Sequence, residues 1–178
     1  KEYLTTQSYK LGMPKFDKFT TWHHIDEKYD ASWGIDKKDA GCYMYGMFKD
    51  LTNLTTVNLP ETGSATDMSK MFDGATSLTS ISLPKTGSVT NMSEMFDGAT
   101  SLTSMSLPET GSVTDMSYMF HGATSLTSAS LPKTGAVTTM LGMFEDAKSL
   151  TTVNLPETGA VTSMEKMFNR ASSLSSIS

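Results

Sequence analysis

MFDGATSLTSISLPKTGSVTNMSE, residues 71–94, runs directly into MFDGATSLTSMSLPETGSVTDMSY, residues 95–118, and the two stretches differ at four positions. The pair Met-Phe recurs at Met47-Phe48, Met71-Phe72, Met95-Phe96, Met119-Phe120, Met143-Phe144 and Met167-Phe168, at a constant spacing of 24 and with no insertion or deletion. Self-similarity at one fixed period marks a stacked repeat architecture. Working upstream, Cys42 and Met44 stand at that same spacing before Thr66 and Met68, so the register begins near Ala40. Residues 1–40 do not fit it. The expected organisation is an N-terminal cap or small helical segment over 1–40, followed by a solenoid of about six units over 41–178.

Within one unit the apolar positions are Leu78, Ile81, Leu83, Val89, Met92, Met95, Phe96 and Ala99. Leu78-x-x-Ile81-x-Leu83 is the strand signature of a leucine-rich repeat. Phe96 and Ala99 fall where a 24-residue repeat of that kind places its Phe and its last apolar residue. Val89 and Met92 come one place late, which predicts an altered loop between strand and convex side. The fold expected is therefore a leucine-rich-repeat solenoid: short parallel strands on one face, irregular or short helical turns on the convex face, and an aromatic N-terminal cap. Pro84 closes the strand because it lacks an N–H. Gly87 recurs as Gly63, Gly111, Gly135 and Gly159, which predicts a turn needing positive φ.

LTSISLPKTGSVTNMSEMFDGATS resembles the BspA-like leucine-rich-repeat surface proteins of bacteria, whose units carry a Val-Thr-x-Met-x-x-Met-Phe stretch followed by a Leu-x-x-Leu strand. The resemblance covers residues 41–178 and does not extend to 1–40. Where that family usually has a small Cys after Phe, this chain has Ala75, Ala99, Ala123, Ala147 and Ala171. The resemblance implies exposure at the bacterial cell surface and adhesion to a host matrix or cell-surface protein, a glycan, or other cells. Likeness of fold does not by itself name a ligand.

Charge narrows the partners. Residues 1–40 balance seven Lys against seven Asp or Glu, so the net charge of −5 belongs to the repeats. A mildly acidic repeat surface argues against nucleic acid, which needs clustered Lys and Arg. No apolar run approaches the roughly 20 residues that cross a bilayer, and no charged-then-apolar leader opens the chain. It begins at Lys1 without an initiator Met, which is compatible with a leader or anchor having been removed. A single cysteine, Cys42, makes no internal disulfide and leaves the redox compartment open.

Side-chain alternation along the strand sends Leu78, Ile81 and Leu83 inward and Thr79, Ser80 and Ser82 outward. The next units repeat this as Thr103, Ser104, Ser106; Thr127, Ser128, Ser130; Thr151, Thr152, Asn154; and Ser175, Ser176, Ser178. Two readings fit this carpet of hydroxyls. It is a binding strip for glycan or peptide, or it is simply what suits a closely packed, solvated sheet. The face lacks the Trp, Tyr and Arg anchors of protein–protein hot spots, which favours the second. A neighbouring ladder, Glu61, Lys85, Glu109, Lys133 and Glu157, alternates in sign and reads as register control.

Chemistry is harder to find. Met68, Met92, Met116, Met140 and Met164 could be imagined as soft-metal ligands, but one per unit beside a Phe column describes adaptable core packing. Met105 next to Ala129 reads as a flexible side chain filling the room left by a small one. Asp73, Asp97, His121, Glu145 and Asn169 share one column and read as solvated loop tips. No Ser/His/Asp spacing, HExxH, P-loop or paired CxxC is present. No cofactor, metal or catalytic residue is expected.

The remaining variety lies in residues 1–40. Trp22 and Trp33 sit there with Tyr3, Tyr9, Tyr29, Phe16 and Phe19. Phe19, Trp22, Ile25 or Asp26, and Tyr29 approximate helical spacing, which predicts a short helix over 16–29. Such a segment caps the first unit, or its rings stack on a sugar or partner. His23-His24 would point apart on a helix and reads as a solvated pair. At the other end, Leu174-Ser175-Ser176-Ile177 carries no cap, so a continuing chain or end-to-end self-association is expected. Two classes of function follow from the sequence: an adhesive surface module, or a structural spacer or self-assembling stalk.

Overall fold

The computed structural model describes residues 21–23, 44–58, 65–83, 87–109, 111–131, 135–155 and 158–178. Seven short strands run in chain order: β1 (Thr21–His23), β2 (Thr56–Asn58), β3 (Ser80–Ser82), β4 (Ser104–Ser106), β5 (Ser128–Ser130), β6 (Thr152–Asn154) and β7 (Ser176–Ile177). Every pairing is parallel, and from β2 to β3 and from β4 to β7 partners are offset by one full repeat, as in Val57↔Ile81 and Met105↔Ala129. Each unit thus adds one rung, in the quasi-linear stacking of a solenoid. The strands are shorter than Leu78-x-x-Ile81-x-Leu83 suggests, with only the central three residues in the ladder.

β1 corrects the expectation for residues 16–29. Thr21–His23 is a strand, with Trp22 opposite Val57 in register, and it occupies the edge of β2. Aromatic spacing near 3.6 also accommodates an edge strand when a parallel neighbour offers unpaired backbone groups. The rest of 1–43, including Trp33, lies outside the described residues, as do Glu61, Lys85, Lys133 and Glu157 of the alternating ladder.

No helix forms among the described residues on the side opposite the strands. Each unit instead winds through tight turns whose amides serve two purposes in alternation. Met68, Lys70, Phe72 and Gly74 donate N–H to the carbonyls of Asn91, Ser93, Met95 and Asp97 in the next unit at 2.8 to 3.0 Å. Between them, Ser69 N–H donates to Asp67 Oδ1 at 2.8 Å, while Asp73 and Ala75 donate back to Lys70 and Phe72 within the unit. The pattern repeats, so this side carries a second ladder of inter-unit bonds, and buried backbone is satisfied without a helix.

That alternation needs left-handed residues at two positions per unit. One column is Gly46, Lys70, Glu94, Tyr118, Gly142 and Lys166, with φ between 54° and 57°. The other is Asp50, Gly74, Gly98, Gly122, Asp146 and Arg170, with φ between 58° and 70°. Seven of these twelve are not glycine. The Gly87 column corrects the sequence expectation: none of Gly87, Gly111 and Gly135 has φ in the left-handed region, and a Cβ built on any of them meets nothing within 4 Å.

The two ladders enclose one apolar core. Met68, Met71, Phe72, Ala75 and Leu78 and their equivalents through Leu150 are fully buried. Phe48, Phe72, Phe96, Phe120, Phe144 and Phe168 form a continuous stack, with centroids 5.2 to 5.6 Å apart and planes within 8°. Methionine lies in this core, as its periodicity predicts, and Met105 and Ala129 are both buried side by side. In the last unit Met164 and Ile177 are 41% and 51% exposed, whereas Met140 and Val153 one unit earlier are covered by their successor.

Candidate binding surface

On the strand face the alternation read from the sequence holds. Thr79, Ser80, Ser82, Thr103, Ser104, Ser106, Thr127, Ser128 and Ser130 are all exposed. Their hydroxyls divide into two sets. The first column, Thr103 apart, is spent on the scaffold: Thr79, Thr127, Thr151 and Ser175 each donate to the carbonyl 24 residues earlier, at 2.9 to 3.2 Å. A parallel column, Thr90, Thr114, Thr138 and Thr162, does the same at 3.1 Å each. The second set, Ser80, Ser82, Ser104, Ser106, Ser128 and Ser130, is exposed, and among the described residues no hydrogen bond engages these hydroxyls.

A groove of about 400 Å³ lies over part of the second set, from Ser104 onward. Its rim is Ser104, Ser106, Ser128, Ser130, Thr152, Asn154 and Ser178, and its floor is Met105, Ala129 and Val153. Among the described residues none with a charged side chain lines it, so these residues offer uncharged donors and acceptors beside buried apolar neighbours. Of the sequence candidates, the groove gathers Ser104, Ser106, Ser128 and Ser130. Thr79, Ser80, Ser82, Thr103 and Thr127 lie on the same face outside its lining, Trp22 sits on β1, and Trp33 is not among the described residues. Thr152, Asn154 and Ser178, which the sequence already places in the outward-facing set, complete the lining.

The turn side holds the titratable groups. Asp73, Asp97, His121, Glu145 and Asn169 are not the freely solvated tips expected, since all but Asn169 are half-buried and each finds a neighbour one unit away. Lys49 pairs with Asp73, Asp97 Oδ1 lies 2.7 Å from His121 Nδ1, and Asn169 Nδ2 donates to Glu145 Oε1 at 2.6 Å. Beside this column Lys70 Nζ lies 3.2 Å from Glu94 Oε2, and Arg170 reaches Asp146 at 3.3 Å. Hydrogen bonding to Asp73 and to Glu94 holds the Lys49 and Lys70 ammonium groups above their ordinary range. Burial pushes the Asp97 carboxyl up, against the opposing pull of His121 and with help from Asp73 and Glu94. These contacts pair neighbouring units along the stack, and among the described residues no three His, Cys, Asp or Glu converge as a metal site.

Parallel strands one repeat apart, a Leu-x-x-Leu strand entry and a shared Met-Phe core define a leucine-rich-repeat solenoid. The chain matches the family model described as "Mycoplasma protein of unknown function, DUF285" over residues 42–150 and 104–177, and it belongs to that family. Solved structures with a similar course include a leucine-rich repeat protein from Bacteroides ovatus ATCC 8483, at 18% identity and TM-score 0.49, covering 75% of this chain and 39% of that one. The leucine-rich repeat protein of T. pallidum is similar at 21% identity and TM-score 0.42, covering 75% and 49%. A leucine-rich cell surface protein from Faecalibacterium prausnitzii A2-165 is similar at 24% identity and TM-score 0.39, covering 70% and 38%. The chain spans less than half the length of each of these proteins. No curated protein matches it.

Proposed function

We propose that this chain is a non-enzymatic binding module of an extracellular bacterial surface protein, and that its strand-face groove holds a neutral, hydroxyl-rich ligand, foremost a glycan. One observation carries the reading: the groove is rimmed by serine hydroxyls with no hydrogen-bond partner among the described residues, while the neighbouring Thr127 and Thr151 hydroxyls are committed to the scaffold. Each free hydroxyl both donates and accepts. A ligand lying across the strands meets an equivalent pair about every 4.8 Å, so many weak contacts sum along its length. With no charged side chain among the described lining residues, phosphate and sulfate find no ion pair there. The cell-surface placement follows the resemblance of the Val-Thr-x-Met-x-x-Met-Phe units to BspA-like repeats, and no described helix is long and apolar enough to cross a membrane.

The second reading is a spacer that presents another domain. It is favoured by the threonine hydroxyls and charge pairs consumed between units. An array of neutral glycans, sulfated glycans and matrix proteins separates the two. Saturable binding concentrated among neutral glycans supports the module. Uniform silence transfers the case to the spacer.

A further inference from the structure

The strand ladder is broken at one place among the described residues. β1, β2 and β3 form one sheet and β4 to β7 form another, although β3 and β4 belong to adjacent units. At the intact interfaces Thr79 N–H reaches Thr55 O at 3.0 Å, Thr127 reaches Thr103 at 2.9 Å, Leu107 reaches Ser130 at 3.2 Å and Leu131 reaches Asn154 at 3.1 Å. Between β3 and β4 the equivalent donors, Thr103 N–H and Leu83 N–H, make no such bond, and the Thr103 hydroxyl does not repeat the bridge made by Thr79 and Thr127.

Beyond the strands the same units stay locked. Thr114 donates both its N–H and its hydroxyl to Thr90 O, at 2.8 and 3.1 Å, beside a parallel bridge between Asn91 and Asp115. The turn side is locked as well. Phe72 N–H donates to Met95 O at 2.9 Å and Gly74 to Asp97 at 2.8 Å, and the Phe72 and Phe96 rings stack at 5.4 Å.

The inward column names the cause. It reads Val57, Ile81, Met105, Ala129, Val153 and Ile177, and the gap falls where Ile81 meets Met105, the bulkiest neighbouring pair. Ile81 is half-buried, while Val57, Met105, Ala129 and Val153 are at most 5% exposed. Excess volume in a packed column is relieved by displacing backbone, and here the strands separate because the turn side cannot.

We infer that the β3–β4 interface is a hinge. β1–β3 and β4–β7 act as two plates that swing about the intact Thr90–Thr114 column, the phenylalanine stack and the turn-side ladder, changing the curvature of the hydroxyl face between Ser80–Ser82 and Ser104–Ser106. The inference stands on the backbone and does not depend on any ligand.

Paired spin labels test it in the full chain, with Cys42 replaced by Ser. Ser82→Cys with Ser130→Cys spans two units across the gap, and Ser106→Cys with Asn154→Cys spans two units beyond it. The hinge predicts a broader distance distribution for the first pair, narrowed by Met105→Val, a residue the column already carries at Val57 and Val153. Should Met105→Val not fold, Ile81→Val takes its place with the same expected narrowing. The Thr103 and Leu83 amides should also exchange roughly tenfold faster than those of Thr127 and Leu107. Equal widths for the two pairs in the parent chain overturn the hinge. So does a folded Met105→Val chain whose distribution stays broad, or exchange at Thr103 and Leu83 as slow as at Thr127 and Leu107.

Discussion

His121 Nδ1 sits 2.7 Å from Asp97 Oδ1, and the two residues hold the same position in neighbouring units. Asp97 also faces Asp73 and Glu94, and burial outweighs His121 to raise its carboxyl above the ordinary value near 3.8. A raised folded value means that the protonated carboxyl is the form the fold favours. Its stabilising effect is complete below the unfolded value and is lost as pH rises through the folded one. Asp97→Asn keeps an acceptor for His121 and removes the charge. The expected outcome is a thermal midpoint at pH 7 equal to or above the parent's, with a flatter rise on acidification toward pH 4, measured by calorimetry across that range. A midpoint at pH 7 well below the parent's would contradict this account of Asp97.

The left-handed turn positions predict a contrast between two glycines. A Cβ on Gly98 meets only the Gly74 backbone, at 3.9 Å, whereas one on Gly142 overlaps the Tyr118 ring. Gly98→Ala should cost about 1 to 2 kcal/mol, the penalty for a Cβ in that conformation. Gly142→Ala should cost more. Adding Tyr118→Ala to Gly142→Ala should abolish the excess, a coupling that a double-mutant cycle in urea reads directly.

Phe96 has a stacked ring on each side, at 5.4 and 5.6 Å, and is fully buried. Phe96→Ala should destabilise the chain by about 3 to 5 kcal/mol. Phe168 has one ring neighbour and is only partly buried, so Phe168→Ala should cost clearly less. Equal losses on denaturant unfolding would mean that the stack does not act as a continuous spine.

Recognition by uncharged hydroxyls also fixes the salt response. Affinity for a neutral glycan should change less than about twofold between 0.05 and 0.5 M salt, because screening acts on charges. A steep fall in affinity by titration calorimetry would move the site to the Lys and Arg residues of the turn side.

The sequence made the scaffold legible because stacking leaves a mark at every period. The Met-Phe pair of each repeat located the core, and Leu78-x-x-Ile81 located the strand. Left-handed backbone left no such mark. Lys70, Glu94 and Tyr118 occupy it alongside Gly142, while the regular Gly87 column does not need it. The pairing of Asp97 with His121 was readable as opposite chemistry one repeat apart, as were Lys70 with Glu94 and Asp146 with Arg170. The break between β3 and β4 required comparing volumes down one column, where Ile81 beside Met105 is an excess that no single unit reveals. The groove hydroxyls were visible as a face, but which of them are free depended on seeing the threonines spend theirs between units.

The most direct test of the central claim is to fill the groove without disturbing the core. Ser106→Arg with Ser130→Arg changes two exposed rim residues that no hydrogen bond in the chain engages. Affinity should be measured for the strongest neutral glycan bound by the parent chain. The account predicts that the parent binds saturably and that the double variant, with an unchanged circular dichroism spectrum and thermal midpoint, loses that binding by roughly tenfold or more, as when about 1.4 kcal/mol is removed. Undiminished binding by the folded double variant would place the ligand elsewhere and contradict the assignment of the strand-face groove.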